Sequence, residues 1–279
     1  MSQPSIDAAG VTHVGKLRKT NEDSYLIGTL QRSVVVHDAS PAARGWFAGE
    51  AAGTMLIVAD GMGGQGGGDV ASRVAVGAVV NHLLNCMPWT TVVKQQSSQG
   101  RSLTGIRDEL ASAMADGDST VKVTGARTGT PAMGTTLTIA LLMWPFAYVA
   151  HVGDTRCYLH RAGELRRLTT DHTLAQKLSD ASSEVVDADS RLHHILWNSL
   201  GASEDLPKPE LRKLTLKAGD ALVLCSDGLN KHVTDAQIAA VLDTPGSAKS
   251  RCAKLVDAAN AAGGKDNITV LMAQWPVGA

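Results

Sequence analysis

The residues best placed to do chemistry are acids that end or open apolar runs. Asp60 closes Leu56-Ile57-Val58-Ala59-Asp60-Gly61, Asp227 follows Leu224-Cys225-Ser226, and Asp266 stands in Gly264-Lys265-Asp266-Asn267 ahead of a final apolar run. Asp23 ends Arg18-Lys19-Thr20-Asn21-Glu22-Asp23, and Asp154 lies in His151-Val152-Gly153-Asp154-Thr155-Arg156. An acid directly after a strand is held at the sheet rim by the hydrogen-bonded ladder. Carboxylates that converge there raise one another's pKa unless a cation neutralises them. Oxygen ligands without a His or Cys set favour Mg²⁺ or Mn²⁺ over zinc. One Asp-Gly is ordinarily a turn. Several acids, each ending or opening a strand, point to a metal site.

A competing signal is Gly61-Met62-Gly63-Gly64-Gln65-Gly66, which fits the dinucleotide-binding G-x-G-x-x-G between a strand and a helix. Asp60 would set a carboxylate beside the pyrophosphate. The acidic residue expected about 20 positions onward for the ribose is missing, since no Asp or Glu lies between Val70 and Arg107. Nucleotide binding is set aside.

The elements that must carry these acids are legible in outline. Short strands are expected at Thr12–Gly15, Asp23–Gly28 and Met55–Ala59, with Gln31–Gly53 irregular. Asp69 can cap a helix from about Val70, whose valines and leucines fit one buried face. Gln95–Gly100 is a polar link, and a second helix is expected over Leu103–Val121, with Arg127–Met133 as a loop. Strands follow at Thr135–Met143, Ala147–Val152, Arg156–His160 and Glu164–Leu168. Ala175–Leu211 is polar and weakly patterned. A strand at Ala221–Cys225, a helix capped by Thr234 through Leu242, a helix at Ala248–Ala261 and a strand at Ile268–Gln274 complete the chain. Runs of strands and pairs of helices predict an α+β class with antiparallel sheets and helices packed outside. A single domain over 5–276 is expected.

The 279 residues carry 26 basic and 27 acidic side chains, a net charge of −1. That leaves no positive field for nucleic acid or an anionic membrane. The apolar stretch Thr136–Val152 is broken by Pro145 and reads as two buried strands. The residues from Met1 to Gly10 lack the basic start and apolar core of a signal peptide. A cytoplasmic protein is expected. Cys86, Cys157, Cys225 and Cys252 form no C-x-x-C pair and read as small buried hydrophobes.

Five groups of segments, in order from about Thr12 to Gln274, resemble the metal-dependent protein serine/threonine phosphatases of type 2C, the PPM family. They are Gly15-Lys16-Leu17-Arg18 with Asn21-Glu22-Asp23; Val58-Ala59-Asp60-Gly61-Met62-Gly63-Gly64; Gly134-Thr135-Thr136; Val152-Gly153-Asp154-Thr155-Arg156 with Thr170-Asp171-His172; and Ser226-Asp227-Gly228-Leu229 with Lys265-Asp266-Asn267. The run Asp60-Gly61-Met62-Gly63-Gly64 is similar to the bacterial branch. The resemblance implies a four-layer αββα fold with a central antiparallel β-sandwich between pairs of helices. It implies hydrolysis of phosphoserine and phosphothreonine monoesters by a metal-activated bridging water at a binuclear Mn²⁺ or Mg²⁺ centre, with a third ion in bacterial relatives. Asp60 would bridge the ions, the Gly61 carbonyl would ligate one, and Asp227 and Asp266 would complete the other. Glu22 and Asp23 would hold water ligands, Asp154 would share the third ion with Asp227, and Asn267 would support the site from behind its ligands. Arg18 would grip two phosphate oxygens with its planar fork. Phosphorylated proteins would be the substrates, a serine/threonine kinase would act in opposition, and the protein would be a monomer. The alternative is a catalytically weak phosphoprotein-binding or regulatory module on the same fold.

The chain departs from the family pattern where it matters for proton transfer. Eukaryotic relatives have histidine where Met62 stands, and the bacterial pattern has it where Gln65 stands. The proton for the leaving group is therefore expected from metal-bound water. His193 and His194 read as a surface pair, and His151 and His172 as structural. Ala175–Leu211 would form the flap beside the site, with Trp197-Asn198-Ser199 where family flaps often carry arginine. Cys225 lacks the Cys-x₅-Arg loop of cysteine phosphatases, since position 231 is Lys.

Overall fold

A computed structural model describes residues 5–35, 46–63, 66–86, 104–182, 186–187 and 190–276, with side chains at 32–35, 46–52, 86 and 104 outside that description. Expectations on Gly64, Gln65, Gln95–Gly100 and residues 36–45 of the irregular stretch fall outside the described residues. In chain order the elements are β1 (Asp7–His13), β2 (Asp23–Val35), β3 (Trp46–Met62), α1 (Gly68–Cys86), α2 (Thr104–Thr128), β4 (Gly134–Thr135), β5 (Leu137–Met143), β6 (Phe146–Val152), β7 (Arg156–Arg161) and β8 (Glu164–Arg167). They continue with α3 (Leu174–Ser182), a 3₁₀ turn (Arg191–His194), β9 (Glu210–Thr215), β10 (Ala221–Cys225), α4 (Asp227–Asn230), α5 (Asp235–Asp243), α6 (Ala248–Ala261) and β11 (Ile268–Gln274).

The strands form two antiparallel sheets, one in the order β1-β11-β10-β7-β8 and one in the order β2-β3-β5-β6-β9, with β4 pairing β3. Alternation along each strand sends side chains to two different cores. Leu56, Val58, Ala140, Leu142 and Val149 meet Cys157, Leu159, Leu222, Leu224 and Leu271 in the space between the sheets. Ile57, Ile139, Leu141 and Tyr148 point the other way, onto Ala75, Val79 and Leu83 of α1 and Leu110 and Met114 of α2. On the far side Val223, Cys225, Val270 and Met272 pack on Ile238 of α5 and Cys252, Leu255 and Val256 of α6. The result is helices, sheet, sheet, helices. Central strands buried on both faces explain why Leu137–Met143 and Ala221–Cys225 read as continuous apolar runs.

Several boundaries differ from expectation. β1 begins at Asp7 and ends before Gly15, because its pairing with β11 (Asp7 opposite Gln274, His13 opposite Ile268) overrides weak local propensity. Asp69 lies inside the first turn of α1, one residue after its start at Gly68, and is not its cap. The second helix continues through Thr128 into the expected loop. Ala175–Leu211 contains α3 and the 3₁₀ turn and runs into β9, whose Leu-Arg-Lys-Leu core carries charge on a sheet edge and so gives a faint periodic signal. Thr234 does cap α5, its Oγ1 accepting from the Gln237 N–H while the Gln237 side chain accepts from the Thr234 N–H. Among the described residues no helix is long and apolar enough to cross a membrane.

Leu224 is fully buried between the sheets. Leu224→Ala is expected to lower unfolding stability by about 2–5 kcal/mol, read from denaturant midpoints. A loss below about 1 kcal/mol would show that the sandwich interior is not the packed core described.

Candidate active site

One end of the sandwich gathers the acids singled out in the sequence. β2 and β3 pair so that Asp23 stands opposite Asp60. The Asp60 backbone is clamped by the next segment: its N–H donates to Thr136 Oγ1 at 2.9 Å, and its carbonyl accepts from the Thr136 N–H at 2.9 Å and Thr135 Oγ1 at 2.9 Å. Gly61 has no room for a side chain, since a Cβ would overlap the carbonyl oxygen of Gly68 where α1 begins. The other sheet contributes Asp227, the first residue of α4 after β10, and Asp266, just before β11. An acid on a helix's first turn suits the partial positive charge of the free N–H groups.

Asn267 ties the two halves together. Its Nδ2 donates to the carbonyls of Val14 at 2.9 Å and Thr20 at 3.0 Å, and its Oδ1 accepts from the Glu22 N–H at 2.8 Å. The loop carrying Arg18 and Glu22 is thereby fixed beside Asp266. Arg18 reaches over to Asp266 with an N···O distance of 2.9 Å. Asp23 is held by two hydroxyls, Ser226 Oγ at 2.7 Å and Thr269 Oγ1 at 2.6 Å, both donating to Oδ2.

Together these residues line a cleft of about 280 Å³. Its walls carry Arg18, Glu22, Asp60 and Gly61 from one side and Asp154, Asp227, Asp266 and Asn267 from the other. Asp23 sits behind this wall. Every sequence-predicted site residue thus lies at the cleft or directly against it. Among the described residues, no three Asp, Glu, His or Cys side chains are gathered into a ready metal cage. Asp227 is paired with Lys231, and Asp266 with Arg18.

The electrostatics disfavour negative charge on three of these acids. Burial, then Asp227 and Asp23, hold the Asp60 carboxyl well above the usual carboxylate range. Burial pushes Asp23 up to about 7 against its two hydroxyl donors, and burial with Asp227 pushes Asp154 up to about 7. Burial works against the charge of Lys231, yet Asp227 and Asp154 hold its pKa above the ordinary value. Among the described residues no donor reaches the buried Oδ1 of Asp23 or of Asp227. Unsatisfied hard oxygens on crowded acids, with no thiolate or imidazole among them, fit divalent cations of the Mg²⁺ or Mn²⁺ type.

The sequence did not mark every participant. Lys231 is one turn along from Asp227 and lines the cleft, as do Thr136, His194 and Leu196. An i,i+4 spacing from Asp227 was the available signal for Lys231. His194 was expected on the surface; it is exposed, but its surface is the cleft wall. His151 and His172 lie behind the wall. His151 donates from Nε2 to the Thr170 carbonyl at 3.0 Å and is flanked by Thr138 Oγ1 at 2.8 Å, with its pKa lowered to about 4 by burial and by His172.

The model of the family described as protein phosphatase 2C matches residues 37–269. The chain belongs to the protein phosphatase 2C family. It is 30% identical over 265 residues to the protein phosphatase PhpP of Streptococcus pneumoniae, covering 94% of each chain. The serine/threonine phosphatase of S. agalactiae superposes with a TM-score of 0.78 at 27% identity, over 97% of this chain and 99% of that one. The catalytic domain of the serine/threonine protein phosphatase PstP, solved in complex with two manganese ions, gives a TM-score of 0.72 at 29% identity over 98% and 99%. This 2C phosphatase is thus an α+β phosphoprotein phosphatase of the class its motifs resemble.

Asp154 tests the crowding of acids. Its raised pKa means the folded, metal-free protein keeps a proton there that the unfolded chain loses above its ordinary carboxylate pKa. That contribution is present at pH 4 and is lost as pH rises through about 7. In EDTA, Asp154→Asn is expected to melt higher than the parent by a margin that widens from pH 4 to pH 7. A margin that is constant or shrinks with pH would contradict this electrostatic picture.

Proposed function

We propose that this 2C phosphatase removes phosphate from phosphoserine and phosphothreonine side chains of other proteins, as one catalytic domain over 5–276. The observation that carries the reading is the meeting of Arg18 with acids from five separate segments in a single cleft. Asp60, the Gly61 carbonyl, Asp227 and Asp266 would hold two Mn²⁺ or Mg²⁺ ions, with Glu22 and Asp23 acting through water and Asp154 serving a third ion. The PstP complex with two manganese ions supports the same metal dependence here. When bound, such ions neutralise the acids and the phosphate dianion and acidify water to a nucleophile near neutral pH.

The chain's own groups supply the rest. Arg18, with its side chain 51% exposed at the rim, presents two parallel N–H donors to non-bridging phosphate oxygens. Asn267 fixes the loop that aims it. Lys231 adds a second positive charge to the cleft wall. Cys225 offers no competing nucleophile, because burial pushes its thiol up to about 12. The His194–Leu196 stretch closes one side of the cleft and is where substrate shape would be read. On this reading the protein works as a monomer in the cytoplasm, opposing a serine/threonine kinase.

Asp60→Asn is expected to lower kcat/KM on a phosphothreonine peptide by about 100-fold or more, and EDTA to abolish turnover that Mn²⁺ restores. Turnover indifferent to EDTA would overturn the metal role. Mn²⁺ and phosphopeptide binding without any turnover would favour the alternative of a regulatory binding module.

A further inference from the structure

Cleaving a phosphoserine or phosphothreonine ester expels an alkoxide, a poor leaving group. Near neutral pH a proton must reach the bridging oxygen as the P–O bond breaks. The acids on the cleft wall are the groups proposed to hold cations. Arg18 does not surrender its proton, Met62 has none to give, and Lys231 is held by Asp227. Among the described residues, the imidazole on that wall is His194.

The other histidines nearby are committed elsewhere. His193 donates from Nε2 to the Asp187 carbonyl at 3.1 Å. His172 lies behind the wall with Nδ1 accepting from the Gly153 N–H at 3.1 Å and the Asn198 amide at 2.9 Å. His194, by contrast, is exposed on the cleft side, and the chain holds it there from both ends. Ser190 Oγ accepts from the Leu192 N–H at 3.3 Å where the 3₁₀ turn starts. Beyond the turn, the Leu174 N–H donates to the Ile195 carbonyl at 2.8 Å and the Trp197 N–H to the His172 carbonyl at 3.0 Å.

Resting on the phosphatase reading above, we propose that His194 is the general acid that protonates the departing seryl or threonyl oxygen. The P–O ester bond breaks, and its electron pair takes the proton of the His194 imidazolium, giving the free hydroxyl. Water supplies the new phosphate oxygen and leaves one proton to solvent, from which the imidazole is recharged.

The test compares His194→Gln with the parent, both loaded with Mn²⁺, on a phosphothreonine peptide and on p-nitrophenyl phosphate. Glutamine keeps a hydrogen-bond donor but cannot transfer its proton. The aryl ester releases a stable phenolate that needs none. Peptide kcat is expected to fall about 100-fold or more, aryl kcat by less than about 5-fold, and Mn²⁺ affinity by calorimetry to hold. Equal losses on both substrates, an undiminished peptide rate, or lost Mn²⁺ binding would each overturn the assignment. A parent protein inert toward both substrates would fail the phosphatase reading itself, and the assignment with it.

Discussion

Repulsion among buried acids at one end of the sandwich is the constraint around which the surrounding structure is arranged. Asp23, Asp60 and Asp154 are brought beside Asp227 in one region, where burial first and then the charge of Asp227 make all three harder to ionise, and Asp23 and Asp154 add to the effect on Asp60. The protein offsets part of that cost with its own groups. Ser226 and Thr269 donate to Asp23, Lys231 faces Asp227, and Arg18 faces Asp266. The β2–β3 ladder fixes the backbones of Asp23 and Asp60 opposite one another, while Asp154 and Asp227 lie just beyond the ends of β6 and β10.

The same logic explains why small and hydroxylated residues surround the acids. Thr135 and Thr136 hold the Asp60 peptide with short side chains that leave the cleft open. Gly61 is glycine because α1 starts against it, with the Gly68 carbonyl where a Cβ would sit. That packing demand alone suffices to exclude alanine.

What was legible in the sequence depended on how local its cause was. Ala221–Cys225, Ala248–Ala261 and Ile268–Gln274 were bounded by turn and cap residues on both sides, and their limits match the structure. The acids were legible because each flanked an apolar run: Asp23 opens β2, Asp60 stands near the end of β3, and Asp154, Asp227 and Asp266 lie two residues outside a strand. β9 and the 3₁₀ turn were hidden, since an edge strand with Arg and Lys on it and a single turn of Arg-Leu-His-His carry almost no periodic signal. Lys231 and His194 were missed as cleft residues for another reason. Their placement depends on how α4 and the 174–200 segment dock against the sheet rims, a tertiary fact that no local pattern encodes. The family resemblance bridged part of that gap, reaching every acid on the wall but not the departures from the family pattern.

The pairing of β1 with β11 carries a consequence for how the molecule comes into being. The first described strand and the last lie side by side over the whole of β1, and Asn267 then links the last strand back to the loop at Val14–Glu22. Contacts between residues so far apart in the chain form late and slowly. Closing the sandwich and seating the Arg18 loop therefore wait on the pairing of β1 with β11, and the cleft takes shape only once those two distant stretches have met.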